Sequence, residues 1–333
     1  MGKRSFENMG QLIKRSGDTV KRLLNPAESS FEVSRKIGQE IFAKKRTIYV
    51  GIDDTLIRKI YSRCMQGAGW FFDTKIGRCI MAYRLAIGIV TDGKFTIPIN
   101  CAYMFAKEIL DLIEEKFPTK DEIAQSFVQT AINLFPDKIV IAVVDGLYAT
   151  VAFMRWCKQN KIRLEARMNS NRVVTYKGKR VKVKNLLKIK GIRPKGRQIA
   201  RTIAVIWHDM DLELTIVRRF DKHGKESIVF QIATYKALPR EHKANYDKRW
   251  NVEMLNRTTK QEVGLEECFS RSLETQYRHT ASVLLAYSLA QLERKISNLD
   301  KVEHALKRCK TKKVDFLINR FSRILAHFPE IYA

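Results

Sequence analysis

Several absences narrow the possibilities first. Six cysteines are spread over 333 residues without a single CxxC pair. That excludes a zinc knuckle and a disulfide framework, and reduced thiols are expected. Acids are scarce, with 35 Asp and Glu against 62 Lys and Arg, a formal charge of +27. An excess of that size points to a polyanionic partner, above all nucleic acid. Proline is rare at seven residues, and the chain holds no repeat, low-complexity tract or flexible linker. Any second domain is therefore an insertion into the first. The most apolar helical run, around Ala281–Leu292, is too short and too interrupted to span a bilayer. The opening MGKRSFENMGQLIKRS lacks the apolar core of a secretory signal. A cytoplasmic protein without membrane association is expected. A chain 45% hydrophobic and 10% aromatic has enough to build a core, so global disorder is excluded as well.

What is present begins with strands. Residues 47–54, TIYVGIDD, read as a buried strand ending in two acids. A Gly-rich turn at Gln66–Gly69 precedes two more strand-like runs, Cys79–Val90 and Lys94–Met104, joined by a hairpin signal at Thr91–Lys94. Helical periodicity follows over Phe105–Lys116 and Lys120–Phe135, with Thr119 placed to cap the second. The run KIVIAVV at Lys138–Val144 is a central parallel strand in type and ends at Asp145. A helix over Ala149–Asn160 and a strand over Arg163–Met168 complete a β-β-β-α-β-α-β order.

Residues 155–201 then hold 17 Lys and Arg and one acid, Glu165. Short strand-like runs at Arg172–Tyr176 and Lys179–Val183 are interleaved with glycines, and further strands are expected over Ile203–Arg218 and Ile228–Thr234. Such a surface suits a phosphate backbone, although a solvated basic loop has the same composition. Helices dominate from Glu241 onward, and residues 9–24 and 31–42 carry weak helical patterning.

The stretch Tyr246–Lys260, YDKRWNVEMLNRTTK, organises the later part of the chain. At about 100° per residue on an ideal helix, Tyr246, Arg249, Glu253 and Lys260 fall within an arc of roughly 60°. Val252, Leu255, Thr259 and Val263 fall on the opposite side. The pattern is one amphipathic helix that presents a carboxylate among cations. An ordinary solvated face with ion pairs would look the same. Trp250 lies close to this face, where it is either a base-stacking ring or a packing residue, and Trp207 in the basic region is open to the same two readings.

Two-metal phosphoryl transfer needs oxygen ligands on rigid elements. Candidates here are Asp53 or Asp54 ending the first strand, Asp145 ending the fourth, and Glu253 on the later helix. Each alone has an ordinary alternative, since an Asp at a strand end is often a turn residue. The six histidines are dispersed, and none is assigned a catalytic role.

The uninterrupted Tyr-x2-Arg-x3-Glu-x6-Lys at Tyr246, Arg249, Glu253 and Lys260, with the words IDDT and VVDGLYA, resembles the DDE transposases of bacterial insertion sequences in the IS-four family. The likeness covers about residues 45–295. It implies a ribonuclease-H-like mixed sheet flanked by helices, with a β-rich basic insertion before the last catalytic helix. It also implies two Mg²⁺ (or Mn²⁺) ions held by Asp54, Asp145 and Glu253, with Asp53 as the fallback for Asp54. Tyr246, Arg249 and Lys260, joined by Arg257 and Trp250, would hold the DNA. Expected partners are double-stranded DNA, as terminal inverted repeats and target, and a second copy of the chain. The expected activity is cleavage and strand transfer at the element's ends. A nuclease that does not join, or a remnant that only binds DNA, remains the alternative.

The expected division is a basic arm at 1–45, a core at 46–168 and 236–296, an insertion at 169–235 and a helical tail at 297–333. Similar transposases carry a longer helical N-terminal domain, whereas about 50 residues precede the first Asp here.

Overall fold

A computed structural model describes residues 27–62, 64–106, 109 and 117–311. The helix expected over 9–24, most of that over 105–116, and the tail beyond 311 lie outside these residues. The described elements run α1 (Ala27–Phe42), β1 (Thr47–Arg58), β2 (Gly69–Asp73), β3 (Arg78–Thr91), β4 (Thr96–Met104), α2 (Lys120–Leu134), β5 (Ile139–Val144), α3 (Val151–Gln159) and β6 (Arg163–Met168). Then come β7 (Val173–Tyr176), β8 (Lys179–Lys182), β9 (Ala200–Trp207), β10 (Met210–Phe220), β11 (Glu226–Ala233), α4 (Pro239–Asp247), α5 (Trp250–Thr258), α6 (Leu273–Ile296) and α7 (Val302–Thr311).

All eleven strands join one mixed sheet. Strand β1 is an interior strand, antiparallel to β3 and parallel to β5. β5 continues parallel to β6. The neighbourhood of the first and fourth expected strands, read from the element order, is therefore present. β4 pairs with β3 through a turn at Asp92-Gly93, where Gly93 takes φ +94° and Asp92 Oδ1 accepts from the Lys94 and Phe95 amides. One strand was not anticipated: the glycine-rich stretch opens β2, which lies along β3 on the edge away from β1, since Ala82 pairs with both Arg58 and Gly69.

The basic region also builds strands, but they extend the same sheet. β11 pairs antiparallel with β6, and β10, β9, β7 and β8 follow outward. The run expected over Ile203–Arg218 is two strands, because His208 and Asp209 take φ of 48° and 64° and form a two-residue hairpin turn. Trp207 is 3% exposed and lies under the Arg172 guanidinium, so it packs.

Helices cover both faces because β1 alternates. Its even residues Ile48, Val50 and Ile52 join a core with Phe127 of α2 and Phe153 of α3. On the odd face, Ile57 joins Tyr83, Leu85 and Ile87 of β3, Val252 and Leu255 of α5, and Leu284 of α6. α2 starts where expected: Thr119 Oγ1 accepts from the Glu122 amide, and Glu122 closes a capping box. α3 is capped likewise by Thr150.

A buried polar network fastens α4 to the sheet. Glu165 Oε1 of β6 accepts from Tyr235 Oη at 2.7 Å and lies 2.6 Å from His242 Nδ1. Asn245 joins the chain by donating to Tyr235 Oη and accepting from Tyr49 Oη of β1. Glu165 and His242 are both fully buried. Burial pushes the Glu165 carboxyl up, and the His242 and Tyr235 bonds oppose that.

α5 packs over Gly51 of β1, where the missing side chain leaves room for Ile89. A Cβ there would stand 2.9 Å from Ile89 and 3.6 Å from Val252. Gly51→Val is expected to lose about 1–3 kcal/mol in denaturant unfolding through overpacking, and Gly51→Ala less.

Candidate active site

The geometry of the site starts from a register. β1 and β5 run parallel with Gly51 beside Val143 and Ile52 beside Val144. One step further along, Asp53 comes beside Asp145. Neighbours in a parallel pair point to one face, which here is the face of Gly51 against which α5 packs. Continuing across β6 and β11, Val143 pairs with Glu165 and Arg167 with Gln231, so Arg167 takes the next place in the Asp53–Asp145 row.

The alternation that brings Asp53 in turns Asp54 away. Asp54 Oδ1 accepts from Lys120 Nζ at the start of α2, and its other oxygen lies 3.6 Å from Arg84 Nε. Asp53 instead feels Asp145 and Arg249. Its carboxyl is pushed up to about 7, first by burial and then by the charges of Asp145 and Asp54, while Arg249 and the Asp54 amide pull the other way. Among the expected first ligands, the fallback Asp53 is the one directed at Asp145.

Asp145 has two duties. Its Oδ1 accepts from the Leu147 and Tyr148 amides, the turn role that an Asp at a strand end commonly has. Oδ2 makes no hydrogen bond among the described residues.

The motif stretch is not one regular helix. α4 ends at Asp247, α5 starts at Trp250, and the segment Thr259–Val263 widens into a π-helix. The apolar side holds as expected, with Val252, Leu255 and Thr259 fully buried. The polar side is redistributed. Tyr246 is only 4% exposed, and its phenol is pushed up by burial. Arg249 lies over the Tyr246 ring and forms an ion pair with Glu253. Trp250 is 56% exposed and Arg257 is exposed. Lys260 leaves the acids altogether. Its ammonium donates to the Leu56 carbonyl and pairs with Glu266 at 3.2 Å. It is pulled down by burial and by the charges of Arg58 and Lys75, partly offset by Glu266.

These residues share a cavity of about 960 Å³, lined by Asp53, Asp54, Asp145, Tyr246, Arg249, Trp250, Glu253, Arg257 and Lys260. Arg167 and Lys75 line it too, although the sequence reading did not single them out. Arg167 was hidden among 17 cations, and only the pairing of β6 with β5 sets it apart.

Among the described residues, no three His, Cys, Asp or Glu side chains stand close enough to enclose a metal ion. The arrangement has Arg249 paired with Glu253 where a cation would compete for the same carboxylate. The donor set nonetheless fits a hard divalent ion: Asp53 within β1, which runs on to Arg58 past the two acids expected to end it, Asp145 just after β5 and Glu253 on α5 offer oxygen ligands. Burial first, and then the neighbouring charge of Asp145, raise the Asp53 carboxyl, and a bound cation would offset both. None of the six cysteines forms a disulfide, and His279 Nε2 lies 2.9 Å from the Gly264 carbonyl.

The fold and site together define a mixed α/β protein with a carboxylate cluster in a cation-lined cleft. Residues 120–289 match the family model of the transposase DDE domain, just over half of the 333-residue chain. The chain belongs to that family. No curated protein sequence matches it significantly. Among solved structures it is similar to the NurA nuclease from Sulfolobus solfataricus at 10% identity, over 69% of this chain and 84% of that one, with a TM-score of 0.29. A superposition that loose carries no argument about function. No helix among the described residues is long and apolar enough to cross a membrane.

The raised Asp53 carboxyl sets a pH dependence. A group that folds with its pKa moved from 3.8 to about 7 favours the folded state below the lower value. That stability is lost as pH rises through the interval. In chelator, Asp53→Asn is expected to match wild type near pH 4 and exceed it by about 2–4 kcal/mol at pH 8, read from denaturant unfolding at each pH.

Proposed function

We propose that the chain is a DNA transposase of the IS-four type that cleaves and joins DNA at the ends of an insertion sequence. The observation that carries this is the β1–β5 register, which sets Asp53 beside Asp145 on the face covered by the helix of Glu253. The DDE family match and the +27 charge support it. The strand order β4-β3-β1-β5-β6 supports a ribonuclease-H-like core, with residues 169–235 as its β-rich insertion.

Asp53, Asp145 and Glu253 are assigned as the metal-holding carboxylates. When bound, two Mg²⁺ or Mn²⁺ ions supply activation of water or a DNA 3′-OH and stabilisation of the leaving oxygen. The chain's own residues do the rest. Arg249 releases Glu253 as the substrate phosphate arrives and then binds that phosphate. Arg167 and Arg257 add phosphate contacts, Tyr246 holds Arg249 in place from below, and Trp250 offers a face to a base. Lys260 anchors the DNA at the far end of the cleft. Asp54 is a positioning residue that ties β1 to Lys120 and Arg84. The transposase reading also calls for terminal inverted repeats, target DNA and a homodimer holding the paired ends.

The experiment is strand cleavage and joining of end-containing duplex with Mg²⁺. Asp53→Asn, Asp145→Asn and Glu253→Gln are each expected to lower cleavage by more than about a hundredfold, whereas Asp54→Asn stays within about tenfold of wild type. Equal cutting by wild type and Glu253→Gln rejects the site. Hydrolysis without joining turns the assignment to a nuclease. Binding is expected to weaken steeply with added salt, as phosphate contacts require.

A further inference from the structure

The hairpin β2–β3 carries two large rings that no part of the active site uses. Trp70 is 63% exposed and Phe72 is 56% exposed, while Phe71 and Asp73 between and after them are buried. β2 is the last strand at its end of the sheet, so its outer edge has no partner strand among the described residues. Trp70 pairs with Met81 and Phe72 with Cys79. Met81 and Cys79 share a face with Tyr83, Leu85 and Ile87 further along β3, and Ile87 pairs with Asp53. Both rings therefore stand on the Asp53 face of the sheet. The turn that leaves β2 brings Thr74 and Lys75 into the lining of the active-site cavity.

The charge around the rings has one sign. Lys75 and Arg78 are exposed on the hairpin. Its single acid, Asp73, is buried and held by Arg58 at 2.7 Å. Lys75 and Arg58 also lie close enough to Lys260 to disfavour its charge. Glu266 pairs with Lys260 and Asp73 with Arg58, so Lys75, exposed at this end of the cleft, is the cation best placed to meet a phosphate.

We propose that Trp70 and Phe72 form a stacking platform for the unpaired bases of a DNA strand that leaves the active site past Lys75 and Lys260. The proposal rests on the DNA-cleaving reading above. A ring exposed on a strand binds the π-face of a base, and that face is open only in single-stranded nucleic acid. The adjacent cations track the phosphates of the same strand. A second copy of the chain is a poorer occupant, because a self-complementary contact would set the hairpin's cations against one another.

The test measures binding of the full chain, in chelator, to a short labelled duplex that is either blunt or extended by a single-stranded oligo-dT flank. Wild type is expected to favour the flanked duplex by about tenfold or more, the range that one or two stacked bases provide. Trp70→Ala with Phe72→Ala is expected to lose that preference and keep its affinity for the blunt duplex. Trp70→Phe with Phe72→Tyr, which retains the rings, is expected to keep the preference. Equal affinity of wild type for both probes overturns the platform, as does equal weakening on both by the alanine pair. A change of sedimentation by the alanine pair without DNA overturns it in favour of self-association. Wild type that cuts end-containing DNA yet shows no flank preference rejects the platform alone. Wild type that binds neither probe rejects the transposase reading with it.

Discussion

The parallel pairing of β1 with β5 is the constraint on which the rest of the site depends. Parallel strands need a long connection, and here α2 and the preceding β-hairpins supply it. Once Ile52 lies beside Val144, Asp53 and Asp145 become lateral neighbours without any direct bond between them. Two carboxylates held that close by a sheet cannot relax apart. Strand pairing, not side-chain contact, therefore maintains the repulsion that adds to burial in raising Asp53. Because the sheet core around Ile48, Val50 and Ile52 is fully buried, a one-residue slip would turn this apolar set to the wrong layer. The hydrophobic pattern of β1 thus fixes where its acids come to lie.

The same pattern explains what could be read from the residues alone. Apolar runs such as KIVIAVV and the hairpin at Asp92-Gly93 are local signals, and most expected strands appear near where they were placed, although the first runs on past its acids to Arg58 and the run over Ile203–Arg218 divides in two. The Asp53 and Asp54 pair was not separable in that way. Period-two alternation puts the two on opposite faces, but only tertiary packing tells which face meets α5. Gly51 settles it, since a Cβ there would point at Val252 of α5, 3.6 Å away. A clue lay in that glycine, yet a glycine in a strand has several meanings. β2 was invisible for another reason: its partner β3 is long enough to serve two strands end to end, and no local period announces that.

Arg249 shows how the site tolerates its own charge. Glu253 is a third exposed at its side chain and could remain solvated, but it takes Arg249 instead. Tyr246 supports the guanidinium from its buried ring, and Tyr246 itself follows Asn245 in the network that ends at Glu165 and His242. Buried networks of this kind set geometry more reliably than they add stability. The placement of Arg249 is thus tied, through α4, to the strand next to Asp145. A divalent cation and Arg249 compete for one carboxylate, so in the proposed reading the arginine is free for phosphate only when Glu253 is otherwise engaged.

The motif's spacing predicts one polar stripe, and the departure from that stripe changes its meaning. On an uninterrupted helix Lys260 would stand above Glu253 with the acids. The breaks at Lys248–Arg249 and Thr259 send it instead to the Leu56 carbonyl, beyond Asp53 along β1. Strand residues advance about 3.3 Å each, so Leu56 lies roughly 10 Å from Asp53. The four motif residues therefore do not surround one point. They line a cleft whose one end collects carboxylates and whose other end collects Lys75 and Lys260, the latter paired with Glu266. A polyanion laid along it meets attraction at the cationic end and repulsion at the acidic one. Binding at the first end can hold a strand in register while the second end stays unfavourable until cations neutralise it. Under the transposase reading, this polarity makes cleavage conditional on metal even when DNA is already bound.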